Sequence, residues 1–118
     1  MTAEVPEGPR LVLTQPLSFW GGVDPTDGSI IDTHHPQRGE SVRAMVLVMR
    51  RGRGSSSSAT VLAECLRLGT GPAAIVMEEI DEVLAVGALV AKELYGVDCP
   101  VLADPVVFRE VVGPSLDS

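Results

Sequence analysis

Aromatic residues make up only 3% of this 118-residue chain: two Phe, one Trp and one Tyr. Its apolar interior must therefore be built from Val, Leu, Ile and Ala, a mixture suited to buried β-branched strands packed against Ala/Leu-rich helices. Cysteine is equally sparse. Cys65 and Cys99 form no CxxC and no metal-ligand spacing, and each lies in an apolar segment, so both read as buried, reduced thiols. Basic residues number nine against sixteen acidic ones, a formal charge of −7 that argues against nucleic acid or an anionic membrane as partner. No apolar run reaches 18 residues and no basic, then apolar, leader is found, so the chain is expected to be cytoplasmic. One domain is expected over 10–112, with flexible ends at 1–9 and 113–118.

What is present is concentrated in one place. Four of the nine basic residues, Arg43, Arg50, Arg51 and Arg53, fall within eleven positions, and Arg53 leads into Gly54-Ser55-Ser56-Ser57-Ser58. An apolar run at 44–49 enters this stretch as a strand and a helical pattern at 57–68 leaves it. Glycine lets backbone approach a ligand closely, and the free N–H groups of a helix start favour an anion. Arginines beside hydroxyls at such a turn suit a carboxylate or phosphate, although a serine run also serves as a plain helix cap or a loop. The order Gly-x-x-x-x-Gly-Lys-Ser/Thr is absent, which excludes a nucleotide P-loop.

Around this loop the pattern predicts strands at 10–14, 29–32, 44–49, 73–77 and 99–103, and helices at 57–68 and 81–95 ending at Gly96. The back half alternates β-α-β-α-β, which predicts parallel strands. The turn-rich front half suggests a small barrel-like unit, and the fold class is α/β, a layered β/β/α domain.

Other segments carry candidate chemistry. In Pro16-Leu17-Ser18-Phe19-Trp20-Gly21-Gly22-Val23-Asp24, two aromatics meet two glycines. They serve either as a core plug with a turn or as a loop that a ligand or partner approaches. His34 and His35 point apart on an extended backbone and have only Asp32 nearby, so no metal site is expected; His35 is either bonded to loop backbone or a proton donor. Met77-Glu78-Glu79-Ile80-Asp81-Glu82 reads as a helix cap with solvated carboxylates. No Ser–His–Asp arrangement can be built.

These residues resemble a known family. Pro16 to Pro25, Gly28-Ser-Ile-Ile-Asp32, His35-Pro36, Gly39, Arg53 to Ser58, Gly71-Pro-Ala-Ala-Ile75, Leu84 to Ala91 and Glu93-Leu-Tyr-Gly96 are similar, in this order, to the small subunit of aconitase X. The resemblance implies a swivelling β/β/α domain like the mobile domain of aconitase. It would close over an iron–sulfur cluster held by cysteines of a separate or fused large subunit, not by this chain. The implied activity is dehydration by a heteromeric hydro-lyase, inactive as this chain alone. The substrate would be cis-3-hydroxy-L-proline or, alternatively, mevalonate 5-phosphate; the Phe19-Trp20 pair favours the first. By the same resemblance Ser55 is the base, and Arg53, Gly54, Ser56 and Ser57 bind substrate. Ser57 stands where the aconitase loop has its carboxylate-binding arginine, leaving that part to Arg53. Phe19, Trp20, Gly21, Gly22, Asp24 and His35 form a candidate active-site or partner-facing loop. The competing class is a non-catalytic module that binds an anion or a partner.

Overall fold

A computed structural model describes residues 5–52 and 56–112. Strands β1 (Arg10–Val12), β2 (Val46–Met49), β3 (Ala74–Met77) and β4 (Val101–Ala103) form one sheet in the order β1-β2-β3-β4, every pair parallel. Helix α1 (Ser57–Leu68) connects β2 to β3, and α2 (Glu82–Tyr95) connects β3 to β4. The central strands, Val-Leu-Val-Met and Ala-Ile-Val-Met, are buried at every position, which is why they read as continuous apolar runs and not as alternation. Leu47, Met49, Ile75 and Met77 enter a core shared with Leu62, Leu66 and Leu84 of the two helices. Val46, Val48, Ala74 and Val76 enter a second core on the opposite face, closed by Val107 and Phe108.

Those last two residues belong to a helix outside the sequence expectation, α3 (Pro105–Val112). Its start signal is local: Asp104 Oδ1 accepts from the N–H of Val106 (2.8 Å) and Val107 (3.2 Å), and Pro105 occupies the first helical position. At α2 the expected cap is present, with Asp81 Oδ1 accepting from Val83 N at 2.9 Å and Leu84 N at 3.3 Å. Gly96 closes that helix in a left-handed conformation (φ 68°). Gly87 lets α2 lie directly on the start of α1, because a Cβ there would come within 2.7 Å of the Ala59 carbonyl oxygen.

The front half departs from a barrel. Between β1 and β2 the described chain makes two isolated antiparallel bridges, Val23 with Ile30 and Ser29 with Ser41, in place of a strand at 29–32. It still supplies much of the core: Leu17, Phe19, Val23, Ile30 and Val42 are all buried. Side chains tie it down. The Gln37 amide bonds the backbone of Val12 and Thr14, and Thr70 Oγ1 donates to Pro25 O at 2.6 Å. Among the described residues no helix is long and apolar enough to cross a membrane.

Candidate active site

In open parallel sheets, ligands bind beyond the carboxyl ends of the strands. Here β1, β2 and β3 deliver residues 13–16, Arg50-Arg51 and Glu78-Glu79 to that edge, where they line a cleft of about 210 Å³. Arg50 is committed. Its Nη1 lies 3.4 Å from both carboxylate oxygens of Glu78, and its guanidinium sits 5.5 Å above the Phe108 ring. Its carbonyl oxygen accepts from the N–H of Glu78 (3.0 Å) and Glu79 (3.1 Å), so β2 and β3 stay paired past their ends. Arg51 is exposed and pairs with no carboxylate among the described residues, leaving it available to an anion in the cleft. The sequence puts Arg51 among the arginines of the expected anion-binding stretch but reads Glu78 and Glu79 as solvated carboxylates; the signal that brings them to one cleft is their place just after two buried strands.

Gly52 continues the path across the start of α2. A Cβ there would stand 1.7 Å from Asp81 Oδ2, so only glycine passes the capping carboxylate. Arg53, Gly54 and Ser55, the centre of the predicted site, lie outside the described residues, as do 1–4 and 113–118 of the expected ends. On the far side Ser56 opens α1 in a right-handed helical conformation and makes no side-chain capping bond. The serines therefore do not include an ordinary N-cap at Ser56. Ser57 is exposed, while Ser58 is buried.

Ser58 connects the serine run to the tryptophan loop. Its Oγ lies 3.2 Å from Ser18 Oγ and accepts from Trp20 N–H at 3.2 Å. The two aromatics of that loop part company: Phe19 is fully buried and Trp20 is 59% exposed. Gly21 has φ 75°, and a Cβ on Gly22 would collide with the Ser18 carbonyl oxygen at 2.1 Å, so both glycines are required by the turn itself. Asp24 Oδ1 accepts from the N–H and hydroxyl of Thr26 at 2.9 and 2.7 Å, an Asx turn. His35 is buried; Nδ1 accepts from Gln37 N–H at 3.1 Å, which leaves Nε2 to donate to Gln15 O at 3.1 Å. Both ring nitrogens are thus occupied by backbone, next to the cleft-lining segment.

Among the described residues no three His, Cys, Asp or Glu side chains come together to hold a metal. Cys65 and Cys99 are free and buried, and burial pushes their thiols up to about 11 and about 12. A cysteine nucleophile acts as thiolate, so neither fits that role. A cluster needs several cysteine thiolates together, and no three ligating side chains meet among the described residues. The native protein is expected to resist Ellman's reagent at pH 8 and to release two reactive thiols in denaturant; rapid labelling of the native chain would contradict this burial. The raised values mean that the folded state keeps protons the unfolded chain gives up. That contribution to stability is complete below the ordinary thiol value of about 8.5 and is lost as pH climbs through 11 and 12.

Residues 1–112 match a family model described as the aconitase X swivel domain. The chain is 48% identical over 85 residues to a cis-3-hydroxy-L-proline dehydratase of Pseudomonas aeruginosa, covering 72% of this chain and 15% of that protein. It is 44% identical over 84 residues to the phosphomevalonate dehydratase small subunit of Methanothermobacter thermautotrophicus, covering 71% of this chain and 64% of that one. The crystal structure of Thermococcus kodakaraensis aconitase X in its holo form superposes with a TM-score of 0.69 at 35% identity, over 72% of this chain and 65% of that chain. The chain therefore spans less than two thirds of the length of each of these relatives.

Proposed function

Because the chain belongs to the aconitase X swivel-domain family, we propose that it is the small subunit of a cytoplasmic hydro-lyase, and that its serine loop supplies the base and part of the substrate grip. The observation that supports this reading is what flanks the loop. β2 leads into Arg50-Arg51 at the carboxyl edge of the parallel sheet, α1 begins at Ser57, and Arg51 is unpaired among the described residues. The two free cysteines suit a reducing compartment. Because the described residues do not fit an iron–sulfur cluster, the cluster typical of this family is assigned to a large-subunit partner.

The two named substrates share one piece of chemistry. Cis-3-hydroxy-L-proline and mevalonate 5-phosphate each carry a hydroxyl β to a carboxylate, with a C–H between them. Elimination of water removes that α-proton together with the β-hydroxyl. Ser55 takes the α-proton as its alkoxide, a form favoured by neighbouring cations and by a helix start. The β-hydroxyl leaves as hydroxide, for which a cluster on the large subunit would supply the Lewis acid. Arg51 and Arg53, with the N–H groups of Gly54, Ser56 and Ser57, hold the carboxylate, on which negative charge grows as the proton leaves. Cis-3-hydroxy-L-proline is the preferred substrate, favoured by the Phe19-Trp20 pair and by the 48% identity. Mevalonate 5-phosphate stands as a second reading, because the relatives named as separate small subunits are phosphomevalonate dehydratases.

The test is dehydratase activity of this chain co-expressed anaerobically with its large subunit and offered both substrates. Turnover of one fixes the class and the branch, and Arg51→Gln should then raise KM about tenfold or more through loss of a charged hydrogen bond. A cluster-replete complex that dehydrates neither would sink both substrate assignments. Failure to form a complex would favour the anion-binding module.

A further inference from the structure

The buried serine at the end of the serine run takes part in a closed ring of hydrogen bonds. Trp20 N–H donates to Ser58 Oγ at 3.2 Å; Ser18 Oγ stands 3.1 Å from Trp20 O and 3.2 Å from Ser58 Oγ. A carbonyl carries no hydrogen, so Ser18 must donate to Trp20 O. Its single hydrogen is then spent, and the contact between the two hydroxyls is made by Ser58 donating to Ser18. Each hydroxyl donates once and accepts once, and Trp20 contributes both its backbone groups. A serine in the first turn of a helix ordinarily bonds its own helix or water. Ser58 instead reaches residues 38 and 40 positions away and is 3% exposed.

We propose that Ser58 is a positioning residue: through this ring it makes the tryptophan loop and the first turn of α1 one body, so that Trp20 stands at a fixed place beside the start of α1. The proposal rests on the dehydratase reading above, in which Ser55 lies three positions before Ser58. The buried side of the loop is fixed independently by Phe19 in the core, so the ring is needed only to hold the exposed side, where Trp20 projects. Loss of either hydroxyl opens the ring and leaves a Trp20 backbone group without its partner.

The sequence supplies the probe, since Trp20 is the single tryptophan of the chain. Ser58→Ala, Ser18→Ala and the double variant are compared by Trp20 fluorescence anisotropy in this chain and by steady-state kinetics in the complex. Each single change should lower the anisotropy and reduce kcat about tenfold, with KM and the far-UV circular dichroism unchanged. The double variant should be no worse than the worse single one, because one ring is lost once. Unchanged anisotropy would overturn the ring; lowered anisotropy with unchanged kcat, or additive losses, would overturn the positioning role. Ser18 is half-buried, so Ser18→Ala decides the matter should Ser58→Ala not fold. A wild-type complex that dehydrates nothing would refute the function proposed above, while the anisotropy result still decides whether the ring couples the two segments.

Discussion

Ser55→Ala should lower kcat by about 10²- to 10⁴-fold, the usual contribution of a positioned general base, while the complex assembles normally. A serine hydroxyl is a poor base at its ordinary acidity, so its value depends on position and on what surrounds the oxygen. The described residues that flank it in the chain are cationic and polar: Arg51 at the cleft, and a first turn of α1 that Ser56 does not cap with its side chain. Steady-state rate alone cannot separate loss of the base from loss of substrate binding. Exchange of the α-proton separates them. In deuterated water the wild-type complex should wash deuterium into unconverted substrate, and Ser55→Ala should abolish that exchange with KM changed little. Arg51→Gln should weaken binding and leave the exchange at saturating substrate largely intact. Near-normal turnover or exchange in Ser55→Ala would remove Ser55 as the base and shift attention to Ser56 or Ser57.

The parts of this molecule legible in the sequence are those whose physics is local or periodic. The runs Val46–Met49 and Ala74–Met77 are apolar throughout because they are covered on both faces, which marks central parallel strands. Asp81 and Gly96 bracket α2 as caps, and Gly69 closes α1 with φ 78°. Helix α3 was missed although Asp104-Pro105 is a local start signal, because eight residues leave little room for a helical period. The front half has no period to read. It is held by side chains reaching distant backbone, Gln37 to Val12 and Thr70 to Pro25, and such bonds leave no trace in spacing. The same holds for the ring of Ser18, Trp20 and Ser58. The run of serines suggested one shared role, yet burial divides them: Ser56 and Ser57 are exposed and Ser58 is enclosed. Likewise the sequence left Asp24 and His35 in a candidate site. Their polar atoms are engaged in a turn and with loop backbone, contacts that shape the segment leading to the cleft.

The neighbouring aromatics give the sharpest contrast in expected outcome. Phe19 is fully buried among residues of the larger core, so Phe19→Ala removes a whole ring from a site that the sheet and α1 prevent from collapsing. Such changes cost about 3–5 kcal/mol, against roughly 5–15 kcal/mol for the entire stability of a small domain. The melting temperature should fall by roughly 10–20 °C, and part of the population should be unfolded at growth temperature. Trp20→Ala, one position on, touches an indole that is 59% exposed and should move stability by no more than about 0.5 kcal/mol. Solvent-exposed tryptophan beside a loop fixed by two glycines and a hydrogen-bonded ring has little to do for this chain alone. Its effect should appear only in the complex, as weaker association with the large subunit or slower turnover. Thermal melts of both variants, followed by titration with the large subunit, separate the two roles. Equal destabilisation by both would mean that the pair is a core plug. A stable Trp20→Ala that binds and turns over normally would remove the indole from the site and leave the loop's backbone as the part that matters.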